Sequence, residues 1–172
     1  MIRTLLLLRH AKSSWDEPNL ADFDRPLAPR GTKDAPRIAA YLRKKKLRPE
    51  LTLCSPALRA VQTWHLITES LGRENEVKSL DDLYLSPPSR LLRALKRVPP
   101  DIRCVMLVGQ NPGLENLAEL LSGPKSKKKA LSYLRDKFPT AALAVVEFET
   151  DAWSNINHGQ GRLRRFVRPR DL

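Results

Sequence analysis

The chain begins with a run of four leucines, Leu5 to Leu8, that ends abruptly in Arg9 and His10. The run is too short to cross a membrane, and without polar alternation it is typical of a strand covered on both faces of its sheet. Ligands in open α/β sheets bind beyond the carboxyl ends of the strands, so Arg9 and His10 are candidates for a site that binds an anion. The alternative is a strand that simply leaves the core at two polar residues.

The rest of the chain alternates between strand-like and helix-like segments. Further strands are predicted at 51–54, 77–80, 104–108, 141–148 and 162–167. Helices are predicted at about 33–46, about 89–98 and 114–121. A further helix is predicted to start with Ser55 as its N-cap and Pro56 as its first residue, and to end at Gly72. A long loop, 12–29, leaves directly from the candidate site, and the lysine-rich run 125–129 is predicted to be an exposed loop. This order favours an α/β fold with a mainly parallel sheet and helices on both faces.

Length and composition predict one soluble domain. A chain of 172 residues suits a single domain spanning 1–172, and its apolar runs are too short for a transmembrane helix or a secretion signal. We therefore expect a cytoplasmic protein with no membrane association. Cys54 and Cys104 lie in apolar strand-like runs, where buried free thiols are favoured over a disulfide.

The formal net charge of +12 predicts attraction to acidic partners and anionic substrates. The basic residues are dispersed among 43–46, 125–129 and 162–170, without the interleaved aromatic side chains that a base-stacking surface needs. A solvated basic surface is therefore favoured over a specific nucleic-acid site. With three histidines in the chain, no spacing typical of metal ligands is present.

Polar side chains follow three of the predicted strands: Arg9 and His10 after the first, Arg59 after the second and Gln110 after a later one. Because the carboxyl ends of parallel strands share one edge, these groups are expected to converge on a pocket. Two guanidinium groups there would bind phosphate oxygens, with help from the amino end of the helix near Pro56.

Three motifs resemble those of the histidine phosphatase superfamily. They are Arg9-His10-Ala11, the segment from Ser55-Pro56 through Arg59 to Gln62-Thr63, and the turn Gly109-Gln110-Asn111-Pro112-Gly113. The short chain is similar to the phosphohistidine phosphatase branch. The resemblance implies a three-layer αβα sandwich of the phosphoglycerate-mutase type. The chain departs from the family pattern at Ala11, which replaces glycine, and at Gln110, which replaces the second histidine.

The resemblance also implies site roles. His10 is the expected nucleophile that accepts the phosphoryl group, while Arg9, Arg59 and Gln110 hold it, and no cofactor or metal is required. Lys12 and Ser13 continue the first motif and are expected at the substrate-binding rim. Asp82 stands near the place where larger relatives carry a proton donor, although a solvated loop carboxylate is the favoured interpretation.

The sequence thus predicts a monomeric phosphatase that acts through a covalent phosphohistidine on His10. The expected substrate is phosphohistidine on an acidic protein, with a small phosphorylated compound as the other option. The alternative is a weak or inactive phosphate- or phosphoprotein-binding module, because Gln110 replaces the second catalytic histidine. A basic protein that associates with nucleic acid is a third hypothesis, which no sequence motif supports.

Overall fold

The protein is described by a computed structural model that covers residues 1–72 and 75–172. Its centre is a six-stranded sheet with the strand order β3-β2-β4-β1-β5-β6. The strands are β1 (Ile2–Arg9), β2 (Leu51–Cys54), β3 (Glu76–Ser79), β4 (Cys104–Gly109), β5 (Leu143–Glu149) and β6 (Arg162–Val167). The helices are α1 (Pro29–Lys44), α2 (Leu58–Leu71), α3 (Pro88–Lys96), α4 (Gly113–Leu121) and α5 (Lys128–Asp136).

The first four strands are parallel, and β5 and β6 join antiparallel beside β1. Arg9 pairs with Gly109 at the end of the β1–β4 ladder, and Cys54 pairs with Val108 at the end of the β2–β4 ladder. The carboxyl ends of β1, β2 and β4 are therefore level with one another. The residues that follow these strands emerge side by side at one edge of the sheet.

Two apolar layers sandwich the sheet, and the leucine run contributes to both. Leu5 and Leu7 pack with the apolar faces of α3, α4 and α5, whereas Leu6 and Leu8 pack with those of α1 and α2. All four leucines are fully buried, which explains the absence of polar alternation in the run. The predicted three-layer α/β architecture with a mainly parallel sheet is confirmed.

Two local predictions are wrong. Helix α2 begins at Leu58 with Ala57 in the N-cap position, not at Ser55 and Pro56. Ser55 instead stays buried at the end of β2, where its hydroxyl accepts a hydrogen bond from Gln110. The lysine-rich run is only partly a loop, because α5 begins at Lys128 and anchors itself through two apolar side chains, Ala130 and Leu134.

The loop that follows His10 closes on itself over the site. Ser14 donates a backbone hydrogen bond to Pro26, and Ala28 donates one to Lys12, each at 2.8 Å. Between these paired ends, Asp22–Asp24 forms a single 3₁₀ turn. The loop therefore has a defined conformation, which places side chains such as that of Asp22 at the edge of the sheet.

Both cysteines are free thiols; Cys54 is buried and Cys104 is half-buried. Burial raises the pKa of each thiol to about 12. Within residues 1–72 and 75–172, no helix combines the length and apolarity needed to cross a membrane.

Candidate active site

His10 lies at the centre of a polar cluster at the carboxyl edge of the sheet. Its backbone N–H bonds to the carbonyl of Gly109, and the N–H of Ser55 bonds to Val108, so the strand ladders continue into the site. His10, Ser55, Arg59 and Gln110 are all buried, with at most 5% of each residue exposed. The cluster is therefore held by the same hydrogen-bond network that holds the sheet.

Two contacts fix the tautomer of the His10 ring. Nδ1 lies 2.7 Å from the carbonyl oxygen of Ala11, which can only accept a hydrogen bond. Nε2 lies 3.3 Å from Nε of Arg59, which can only donate one. The proton is therefore on Nδ1, and the lone pair of Nε2 points towards the guanidinium group.

The environment keeps this imidazole neutral. Burial lowers the pKa of His10 to about 3, and the positive charges of Arg59, Arg9 and Arg25 act in the same direction. The carbonyl of Ala11 opposes the shift but does not outweigh it. At neutral pH the ring consequently has a free electron pair on Nε2, as a nucleophile requires.

Arg59 divides its donors between His10 and a carboxylate from the loop. Nη2 donates to Oδ2 of Asp22 at 2.9 Å, and Nη1 donates to the Asp22 carbonyl at 2.6 Å. Tyr84 and Arg25 also bond to the Asp22 carboxylate, at 2.6 and 2.9 Å. Partial burial disfavours the ionised carboxyl, but the hydrogen bonds from Tyr84 and Arg59 outweigh it and hold the pKa of Asp22 below its ordinary value.

Arg9, the last residue of β1, is a second arginine whose charge acts on the His10 ring. Its Nη1 donates to the carbonyl of Phe138 at 2.9 Å, while its buried Nε has no hydrogen-bond partner among the described residues. Burial lowers the pKa of this guanidinium, although Glu115 acts in the opposite direction. With Arg59, it makes this edge of the sheet strongly favourable for an anion.

Gln110 is held at both ends of its amide. Nε2 donates to Oγ of Ser55 at 2.7 Å, and Oε1 accepts from the N–H of Leu85 at 3.3 Å. The amide nitrogen has two hydrogens, so one N–H remains for a ligand after the bond to Ser55.

The remaining predicted site residues are placed differently. Ser13 is buried and accepts a hydrogen bond from Arg25, whereas the side chain of Lys12 is exposed. Asp82 lies in a 3₁₀ turn, Asp81–Leu83, with an exposed side chain. Among the described residues, no hydrogen bond joins its carboxylate to the His10 cluster, and Asp22 is the carboxylate that reaches Arg59.

Sequence reasoning missed the residues that orient the cluster. Asp22, Arg25 and Tyr84 form a hydrogen-bonded group around Arg59. Thr63 accepts the N–H of Ala11 at 3.0 Å and donates to the carbonyl of Arg59 at 2.7 Å, so it joins α2 to the end of β1. The available signal was an acidic loop that leaves directly from the site in a strongly basic chain.

Comparisons with known proteins show which proteins this chain is similar to. The model of the histidine phosphatase superfamily (branch 1) matches residues 5–84. An uncharacterized protein of Mycobacterium leprae is 31% identical over 166 residues, which cover 95% of this chain and 100% of that protein.

Two solved structures superpose over nearly the whole chain, and both are provisionally named phosphohistidine phosphatase SixA. The protein from Nakamurella multipartitia gives a TM-score of 0.86 at 27% identity, over 98% of this chain and 97% of the other. The protein from Agrobacterium tumefaciens gives 0.80 at 30% identity, over 97% and 98%. The sequence match and the shared fold show that this chain belongs to the histidine phosphatase superfamily.

Proposed function

We propose that the protein is a phosphohistidine phosphatase that works through a covalent phosphohistidine on its own His10. The observation that carries the proposal is the fixed tautomer of His10, whose Nε2 lone pair faces Arg59 at 3.3 Å. The neutral imidazole is arranged to attack a phosphoryl group, and the guanidinium groups of Arg59 and the nearby Arg9 are suited to bind its oxygens.

The reaction follows from these positions in two displacements. In the first, Nε2 of His10 bonds to phosphorus as the bond from phosphorus to the substrate imidazole nitrogen breaks, and the released imidazole takes up a proton from solvent. In the second, water attacks phosphorus as its bond to Nε2 breaks, the water protons leave with inorganic phosphate or pass to solvent, and the neutral histidine is restored. Arg9 and Arg59 stabilise the charge on the transferring oxygens in both steps. The N–H that Arg59 directs at Nε2 in the free protein then serves a phosphoryl oxygen.

The substrate class is supported by charge and by similarity. A net charge of +12 favours encounter with an acidic phosphoprotein. The two similar structures carry the name of phosphohistidine phosphatases. Protonated imidazole is a good leaving group, so such a substrate does not require Asp82 as a proton donor.

The test is single-turnover hydrolysis of a phosphohistidine peptide labelled with ³²P, with an acid-labile phosphoenzyme trapped in alkali. Label should appear on the native protein and disappear in His10→Ala. The matched control is His65→Ala, which removes an exposed histidine of α2 and should keep both label and turnover. Turnover that survives in His10→Ala would overturn the proposal.

A second candidate, a phosphate-binding module without turnover, is favoured by Gln110. Its uncharged amide is engaged by Ser55 and Leu85, and it cannot supply the positive charge of a second histidine. In the same experiment this candidate predicts retained binding of the labelled peptide with neither phosphoenzyme nor released phosphate.

A further inference from the structure

A groove lies at the open edge of the sheet, between the outermost strand β3 and helix α3. Its volume is about 470 Å³. Leu51 and Leu53 of β2, both almost fully buried, form part of an apolar floor. Leu80, Ala94 and Val98 also line it. The floor is large enough for one or two apolar side chains from another molecule.

The rim of this groove is cationic. Arg90 and Arg93 lie on the exposed side of α3, and Arg97 is the exposed residue directly after its end. Lys78 lines the groove from β3. Among the described residues, no carboxylate forms an ion pair with any of the three arginines, and Lys78 is paired only with its neighbour Glu76, at 3.4 Å. The rim therefore presents guanidinium groups whose charge is not neutralised within this part of the chain.

The chain leads directly from this groove to the His10 site. Asp81 and Asp82, in the 3₁₀ turn Asp81–Leu83, line the groove, and the next two residues contact residues of the site. Tyr84 bonds to Asp22, and the N–H of Leu85 bonds to Gln110. The carboxylates of Asp81 and Asp82 repel an acidic segment, so the favourable part of the rim is the side with the arginines of α3 and its end.

We infer that this groove is a docking site for an acidic, leucine-containing segment of the phosphorylated protein whose phosphohistidine enters the His10 site. The inference rests on the proposed function for the identity of that partner. Apolar side chains of the segment fill the floor, and its carboxylates pair with Arg90, Arg93 and Arg97. A protein is favoured over a nucleic acid because, among the residues that the structure describes, no aromatic side chain lines the groove for base stacking.

The test uses a fluorescein-labelled peptide with alternating glutamate and leucine, and a matched peptide in which glutamine replaces glutamate. Binding to the full chain is measured by anisotropy in about 300 mM NaCl, where remote charges are largely screened. The variant Arg90→Glu/Arg93→Glu/Arg97→Glu should bind the acidic peptide about tenfold more weakly or worse, since three exposed ion pairs become repulsive. The control Lys125→Glu/Lys127→Glu/Lys128→Glu makes the same change of charge at another exposed basic segment and should bind as the native protein does.

A second readout separates docking from chemistry. The substrate for this readout is a peptide that carries both the acidic segment and a phosphohistidine. With it, the arginine variant should show a KM about tenfold higher than that of the native protein and the same kcat. Hydrolysis of p-nitrophenyl phosphate, which has no acidic segment, should be unaffected in both charge-reversal variants. Absence of turnover in the native protein would contradict the proposed function, whereas the anisotropy result would still report on the groove.

Three results would overturn the docking site. They are equal weakening in the two charge-reversal variants, equal binding of the glutamine peptide, and displacement of the acidic peptide by a short single-stranded oligonucleotide that binds more tightly.

Discussion

Asp22 and His10 share one guanidinium group. Arg59 donates to His10 through Nε and to Asp22 through both terminal nitrogens, and Arg25 and Tyr84 hold the same carboxylate. The Asp22 carboxylate therefore neutralises part of the positive charge of Arg59 and Arg25 within the chain. A phosphoryl group entering the site has to share Arg59 with this internal carboxylate.

Replacing the carboxylate of Asp22 should strengthen the binding of phosphate-like anions. In Asp22→Asn the shape is kept and the negative charge is lost, so inhibition by orthovanadate is expected to tighten about fivefold, as for a partly exposed ion pair. The inhibition constant is measured with p-nitrophenyl phosphate. Asp24→Asn in the same 3₁₀ turn is the control, because Asp24 is exposed, and it should leave inhibition unchanged. Weaker inhibition in Asp22→Asn would show that the carboxylate chiefly orients Arg59.

Burial of a neutral His10 should make folding stability depend on pH. The pKa is about 3 in the folded chain, against an ordinary value of 6.5, so between these values the unfolded chain binds the extra proton. The free energy of unfolding should consequently fall by about 1.4 kcal/mol for each pH unit below 6.5, and this contribution is complete near pH 3. The lowered pKa of Asp22 adds its own loss only below about pH 3.8.

The measurement is urea unfolding at pH 6.5 and pH 4.5, for the native protein and for His10→Asn. The native protein should lose about 2–3 kcal/mol more than the variant over this interval. An equal loss in both proteins would mean that the imidazole is protonated in the folded state.

At the scale of elements, most strands of the sheet could be predicted from the sequence. The bounds predicted for β2 and β6 match those observed, because apolar runs with flanking polar residues mark buried strands directly. Helix α5 was missed because only Ala130 and Leu134 are buried in its nine residues, which is too weak a periodic signal among lysines. Ser55 was misassigned because a hydroxyl before proline is typical of a helix start, whereas here it bonds to a side chain 55 residues away in sequence.

The candidate site was predictable only where residues follow strand ends. His10 and Gln110 come directly after β1 and β4, so topology alone brings them together. Asp22, Arg25 and Tyr84 reach Arg59 from loops, and their placement depends on tertiary contacts that no local pattern encodes.

Gly31 shows how tightly α1 is set against the loop that carries the site. A Cβ at this position would collide with the backbone carbonyl of Lys12, the same carbonyl that accepts the N–H of Ala28. Gly→Ala within a helix ordinarily stabilises by about 1 kcal/mol, but Gly31→Ala should destabilise by about 1–3 kcal/mol, as over-packing does. Thermal unfolding measures the change. Lys33→Ala on the exposed side of α1 should stay within about 0.5 kcal/mol of the native value, and a stabilised Gly31→Ala would contradict the packing argument.

At the scale of the whole molecule, the dominant property is the net charge of +12. Two apolar layers on either side of the sheet carry the fold, so the surface charge is free to act on partners. Such a field raises the encounter rate with acidic molecules over about a Debye length, roughly 10 Å at 0.1 M salt. The contribution of this field to the binding of acidic partners differs from that of the α3 groove. The field depends on the total charge of the protein, whereas the groove depends on particular arginines.

Ionic strength should separate these two contributions. Between about 50 and 500 mM NaCl, kcat/KM for the acidic phosphohistidine peptide should fall about tenfold more than kcat/KM for p-nitrophenyl phosphate, since screening removes long-range attraction to the acidic segment. The variant Lys125→Glu/Lys127→Glu/Lys128→Glu halves the net charge of +12 and should show a flatter salt dependence. At high salt it should match the native protein, because its α3 rim is intact. If both proteins show the same slope, attraction comes from local contacts alone, and the overall charge does not steer the partner.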